Sequence, residues 1–179
     1  MTIPEAPLED TESGRIPAGE GWFVLNAKDA RWRHNGHGGK LTFFEGNAEM
    51  WQVGVNVSVL EPGEPMAMYH HEDTQEDFLV LAGEPLLIVE GEERPLRPWD
   101  FFHCPPGTNH VIVGAGGGPS VLVSLGARST GEGWGAYTVD ETALRHGAGV
   151  DEETTDSRVA YARFPSDRFT GYEEGWLPG

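Results

Sequence analysis

The stretch "WQVGVNVSVLEPGEP", Trp51–Pro65, decides the fold. Trp51, Val53, Val55, Val57 and Val59 fall on one side of a strict alternation, with Gln52, Asn56 and Ser58 on the other. A period of two with this many β-branched residues specifies a strand with one buried face. The Pro62-Gly63 pair then ends it. The expectation is a strand whose valines face the interior of the fold.

The same signature recurs on both sides at short spacing. "GWFVLNA" and "KLTFFEG" come before it; "DFLVLAG", "PLLIVEG", "DFFHCPPG", "HVIVGAG", "SVLVSLGA" and "GAYTV" come after, with turn residues between them. No helical period interrupts residues 21–139. Many short strands without intervening helices specify an all-β antiparallel barrel or two-sheet sandwich over residues 21–140. Residues 1–20 are acidic and almost free of large apolar side chains, and read as a flexible arm. Residues 141–179 read as a C-terminal tail with short helices. Asp140 is placed to cap "ETALRH" before Gly147, and Asp156 to cap "SRVAYARF" before Pro165. Phe169, Tyr172, Trp176 and Leu177 mark the last stretch as one that docks on the barrel or on a partner chain.

Composition bounds the function. A chain of 179 residues holds one well-filled core. Twelve basic against twenty-nine acidic residues give a net charge of −17, which repels phosphate backbones and anionic lipid heads and excludes nucleic acid and membrane surface as expected partners. Cys104 is the single cysteine, so no intrachain disulfide forms and nothing points to an oxidising compartment. The opening "MTIPEAPLEDTESGRIPAGEG" lacks the pattern of a secretory signal, and no apolar run is long enough to span a bilayer. The expected location is the cytoplasm.

Chemistry concentrates in "YHHEDTQEDFLVLAGE", Tyr69–Glu84, which crowds His70, His71, Glu72, Asp73, Glu76 and Asp77 against an apolar strand. Either this is a solvated rim, or several of these side chains converge on a cation. Strand alternation turns Tyr69 and His71 one way and His70 the other. His110 opens a later strand after a Pro-Pro-Gly turn. Two neutral imidazoles and a carboxylate from adjacent strands make a 2-His-1-carboxylate set for a divalent transition metal, with positions left open for a ligand.

Two spaced motifs in this region resemble the cupins. Gly63, Tyr69, His71, Glu76 and Gly83 follow the first cupin motif, with Tyr69 standing where the first histidine would be. Pro105, Gly107 and His110 follow the second, with Trp99 and Gly114 in place of its first glycine and last asparagine. The resemblance covers roughly residues 40–128 and implies a small β-barrel (double-stranded β-helix or jelly roll) with a metal site in its wider mouth. It implies His71, Glu76 and His110 as ligands, with His70 as the reserve ligand should the register slip by one residue. Tyr69 would sit at a ligand position, where hydrogen bonding or proton donation to substrate suits a phenol better than ligation. The metal would be iron, manganese or zinc.

The implied function is that of a small-molecule metalloenzyme, oxygenase- or isomerase-type, acting on a small polar organic substrate. The alternative is a non-catalytic cupin that binds or senses a small ligand. Relatives of this kind often pair through exposed sheet edges, so a homodimer is expected. Elsewhere, Glu72, Asp73 and Asp77 read as a solvated rim, His103 as outward and Cys104 as a small buried hydrophobe. His34 and His37 read as loop residues, and "GAGGG" at Gly114–Gly118 as a turn.

Overall fold

The decisive stretch does form a strand, β5, over Val53–Leu60, in a computed structural model that describes residues 2–47, 50, 52–128, 131 and 133–178. Trp51 lies outside the described residues. β5 sits near the middle of a seven-stranded sheet ordered β10 (Phe101–Cys104), β7 (Glu76–Ala82), β12 (Ser120–Ala127), β5, β4 (Lys40–Phe43), β3 (Arg31–His34) and β14 (Arg168–Thr170). A five-stranded sheet is ordered β13 (Gly135–Tyr137), β6 (His70–Glu72), β11 (His110–Val113), β8 (Leu86–Val89) and β9 (Glu92–Pro95). Every ladder in both sheets is antiparallel. Together they make the all-β jelly-roll barrel expected from the strand pattern.

The face of β5 is the opposite of the expected one. Ser58 pairs with Leu122 and Leu41, and Asn56 with Ser124; Leu41, Asn56, Ser58 and Ser124 line the cavity between the sheets, with Leu60 at its apolar floor. The valines turn outward. Val59 is fully buried there, packed with Val57 against Trp32, Val121, Tyr172, Trp176 and Leu177, while Val53, at the strand's other end, is exposed. The reason is that the outside of this sheet is not bare. The C-terminal tail lies across it and supplies the apolar partners, which frees the inner face to carry polar groups. Trp32 is the centre of that cover: it is fully buried, meets Trp176 edge-on at 5.2 Å between ring centroids, and donates its indole N–H to the Ala27 carbonyl at 2.8 Å.

Two further expectations change. "GWFVLNA", residues 21–27, forms no strand; Trp22 makes only an isolated bridge to Glu5, and Val24 is exposed. Residues 8–17, within the segment read as an arm, form a hairpin of β1 (Leu8–Thr11) and β2 (Gly14–Pro17) that buries Ile16 and Pro17. "DFLVLAG" and "PLLIVEG", consecutive in the sequence, belong to opposite sheets. Gly83 turns the corner between them with φ of 81°, where a Cβ would collide with the Pro119 carbonyl and Ser120.

The helices follow their caps. α1 spans Glu141–Arg145, with the Asp140 carboxylate accepting from the Ala143 N–H at 2.8 Å. α2 is a single turn, Ser157–Ala160, capped by Asp156, and is shorter than the run to Pro165 had implied. β14 pairs with β3 and so covers what would be an open sheet edge. Trp32→Ala should therefore destabilise the fold by about 3–5 kcal/mol, because it removes the side chain that joins sheet and tail. Urea unfolding measures it, and a loss below about 1 kcal/mol would show that the tail adds little to this core.

Candidate metal centre

The strand register across the five-stranded sheet brings the ring of His70 opposite both His110 and Tyr137. Directly opposed residues share a face, so all three point into the cavity. β13 reaches this position through Gly135, where a Cβ would collide with the His71 carbonyl. Glu76 opens β7 on the other sheet and closes the group from across the barrel. Its Oε2 lies 3.4 Å from His110 Nε2 and 3.7 Å from His70 Nε2, and the two imidazole centroids are 4.9 Å apart. His70, Glu76 and His110 thus offer one ligand atom each within 4.8 Å of one another.

The tautomers are fixed from behind. His70 Nδ1 is 2.7 Å from the Met68 carbonyl, and His110 Nδ1 is 3.1 Å from the Thr108 carbonyl. A carbonyl only accepts, so each Nδ1 carries a proton, and each ring, when neutral, aims an Nε2 lone pair at Glu76. The Glu76 oxygen there is buried and has no hydrogen-bond partner. Three acceptors facing one another are unstable unless a proton or a cation lies between them. Burial alone would drive the proton off His70. The Glu76 carboxylate and the Met68 carbonyl outweigh that, and raise its pKa above the usual histidine value. His110 goes the other way: burial and the charge on His70 push it down to about 4.

Of the expected ligands, the structure brings Glu76 and His110 together and joins His70 to them, not His71. His71 Nδ1 faces the Asn109 side-chain oxygen at 3.3 Å, away from the cavity. Tyr69 also turns away. It is buried against Ile88, Val111 and Ala143, and its hydroxyl accepts the Gly91 N–H at 3.1 Å. The alternation of Tyr69 and His71 against His70 was read correctly, but the inward side was not. Residues 66–69 are bends and β6 begins only at His70, so the Gly63 spacing could not set the register.

Other cavity residues were missed or misplaced. Glu72, read as rim, lies two residues from His70 on the same strand and lines the cavity, where burial and the Glu76 charge raise its pKa. Trp134 and Tyr137 form an aromatic wall beside His70, at 6.1 and 5.9 Å. Tyr161 and Arg33 line the mouth of a cavity of about 340 Å3. The only sequence signal for these was the polar face of β5, which had been turned outward. Cys104 is buried as expected, with Sγ 3.4 Å from His110 Nδ1, and burial pushes its thiol up to about 12, so it is a neutral packing group. His103 is outward as expected, 2.7 Å from Asp77.

Comparison with known proteins agrees with this architecture. The cupin domain family matches residues 56–126. Over that stretch the chain resembles a cupin domain. A predicted oxalate decarboxylase from Thermotoga maritima superposes with a TM-score of 0.52 at 18% identity, over 59% of this chain and 99% of that one. An RmlC-like cupin from Shewanella frigidimarina gives 0.51 at 18% identity, over 59% and 90%. The polyketide cyclase RemF from Streptomyces resistomycificus gives 0.50 at 14%, over 58% and 78%. These likenesses establish the fold. A candidate sugar phosphate isomerase from Acidithiobacillus ferrooxidans is matched over 62% of its own length at a TM-score of 0.49. A search of curated proteins gives no match. Trp99, at the place of the second motif's glycine, keeps a left-handed backbone with φ of 76°.

The depressed His110 has a pH consequence in the metal-free protein. The unfolded ring takes up its proton near 6.5 and the folded ring only near 4, so His110 lowers stability as the pH falls through that window. Histidine-ring NMR on chelator-treated protein should find His110 still neutral at pH 5. A midpoint near 6.5 for that ring would contradict the buried, neutral assignment.

Proposed function

We propose that this cupin is a metal-dependent enzyme, oxygenase- or isomerase-type, acting on a small polar organic molecule. His70, Glu76 and His110 would hold a divalent transition metal, iron, manganese or zinc. The observation that carries this reading is the buried, unpartnered Glu76 Oε2 facing two imidazole nitrogens whose other nitrogens are tied to backbone carbonyls. A bound metal would supply Lewis-acid polarisation of a ligand oxygen or, with iron, a site for dioxygen. The chain's own residues do the rest. The carbonyls of Met68 and Thr108 orient the imidazoles, and Leu60, Phe78 and Ile112 keep the floor apolar.

Tyr69 and His71 are not part of this proposal, because their side chains point out of the cavity. A non-catalytic ligand-binding cupin is the reading to adopt if the purified protein holds an organic molecule and no metal. We further propose a cytoplasmic homodimer. On the outer face of the seven-stranded sheet Val53 and Phe101 are 41% and 60% exposed, apolar groups that a second copy would cover. No helix among the described residues is long and apolar enough to cross a membrane.

Elemental analysis of protein purified without chelator should find about one metal per chain in wild type and in His71→Ala. His70→Ala and His110→Ala should each lower metal affinity by at least about tenfold. Equal and negligible metal in all four proteins would reduce the site to a vestige. Light scattering at tens of micromolar should give the mass of two chains; a monomer would remove the dimer from the proposal.

A further inference from the structure

The cavity has a second polar end, away from the histidines. Arg33 leaves β3 on the inner face, since Arg33 pairs with Leu41, Leu41 with Ser58, and Ser58 with Leu122. Its guanidinium is held from behind. Nε donates to the Asn35 side-chain oxygen at 2.8 Å and lies 3.4 Å from Asp167, and Cζ sits 4.8 Å from the centroid of the Phe43 ring. Among the described residues neither terminal nitrogen makes a hydrogen bond, and the side chain lines the cavity while remaining about one-third exposed. Lys40, the other cation at the cavity, is already shared between Glu61 and Glu64, each at 3.4 Å. Arg33 is therefore a fork fixed at its base with its prongs free.

Tyr161 stands beside it. Both residues line the cavity and the groove that opens from it, and the Arg33 charge reaches the Tyr161 phenol. The Tyr161 hydroxyl accepts the Met68 N–H at 3.1 Å, and its ring meets that of Tyr137 edge-on at 5.6 Å between centroids. With the Met68 N–H on its acceptor side, the hydroxyl has its own proton left to give to a ligand in the cavity that Tyr161 lines.

We propose that the ligand of this cavity is a small organic acid, its carboxylate gripped by the terminal nitrogens of Arg33 and the Tyr161 hydroxyl while its other end reaches the histidine cluster. The far end of this arrangement rests on the metal reading above; the acid grip does not. One guanidinium plus one neutral donor matches a single negative charge in bidentate geometry. A phosphate would place nearly two charges on that one grip, whereas a dicarboxylate such as succinate places one carboxylate there and carries the other to the far end.

Calorimetric titration of the purified protein with succinate, its uncharged analogue succinamide, and inorganic phosphate tests this. Succinate should bind at least about tenfold more tightly than either of the others. Arg33→Met should weaken succinate by about tenfold or more and leave succinamide unchanged, because only the charged contact is lost. Tyr161→Phe should weaken succinate several-fold, and Arg33→Lys should fall between wild type and Arg33→Met. Equal affinity for acid and amide, no effect of Arg33→Met, or no succinate binding at millimolar concentration would each overturn the inference. Metal content measured on the same samples separates the two readings. Acid binding without metal sinks only the metal centre, and metal retention without dependence on Arg33 sinks only the acid grip.

Discussion

The arrangement of this barrel turns on one carboxylate oxygen. Glu76 Oε2 is buried, accepts no hydrogen bond, and faces two Nε2 atoms at 3.4 and 3.7 Å. Among the described residues no lysine or arginine forms an ion pair with it. The surroundings instead add negative charge, with Glu72 on the same wall. A proton on His70 meets the need in part, and a divalent cation meets it fully. That is why the sequence can lead a dense acidic cluster into a core strand: two of its four acids end inside, around a place for a cation, and the other two remain at the rim.

How much of this could be read from residues alone depends on which quantity the residues encode. Strand identity is encoded by alternation, and β5, β7, β8 and β11 appear where the alternation or apolar runs put them. The face of a strand is not encoded so directly. An apolar side of β5 opposite a polar side says only that one face meets apolar groups, and the usual assumption is that those groups form the barrel interior. Here they come from Trp32 and the C-terminal tail, whose contacts are distant in sequence. The same inversion caught the histidines. Alternation separates His70 from His71 with certainty, but which of them is inward depends on where the strand starts, and the bends at residues 66–69 erase that information. The residue types of the site were legible; its register was not.

Turning the polar face of β5 inward has a structural counterpart at both termini. A barrel that spends its interior on Asn56, Ser58 and Ser124 buries less apolar surface inside and must find more outside. The tail supplies it through Tyr172, Trp176 and Leu177, and β14 adds a strand to the open edge. Segments outside the 56–126 cupin match are thus not appendages. They compensate for the polar cavity on one side of the sheet and, through Tyr161 and Arg33, finish its mouth on the other.

This division of labour separates what holds the fold from what the cavity binds. The apolar clusters around Leu60, Phe78 and Leu122, around Tyr69 and Ile88, and around Trp32 and Val59 close without help from the histidines. With no cation present, a shared proton between His70 and Glu76 relieves part of the electrostatic cost, and His110 stays neutral. The metal-free barrel is then a folded protein with an unneutralised site rather than an unfolded chain, unlike small domains in which metal binding supplies most of the folding energy. A cation at this site would therefore come and go while the walls and the aromatic side remain in place, because none of the apolar clusters depends on it.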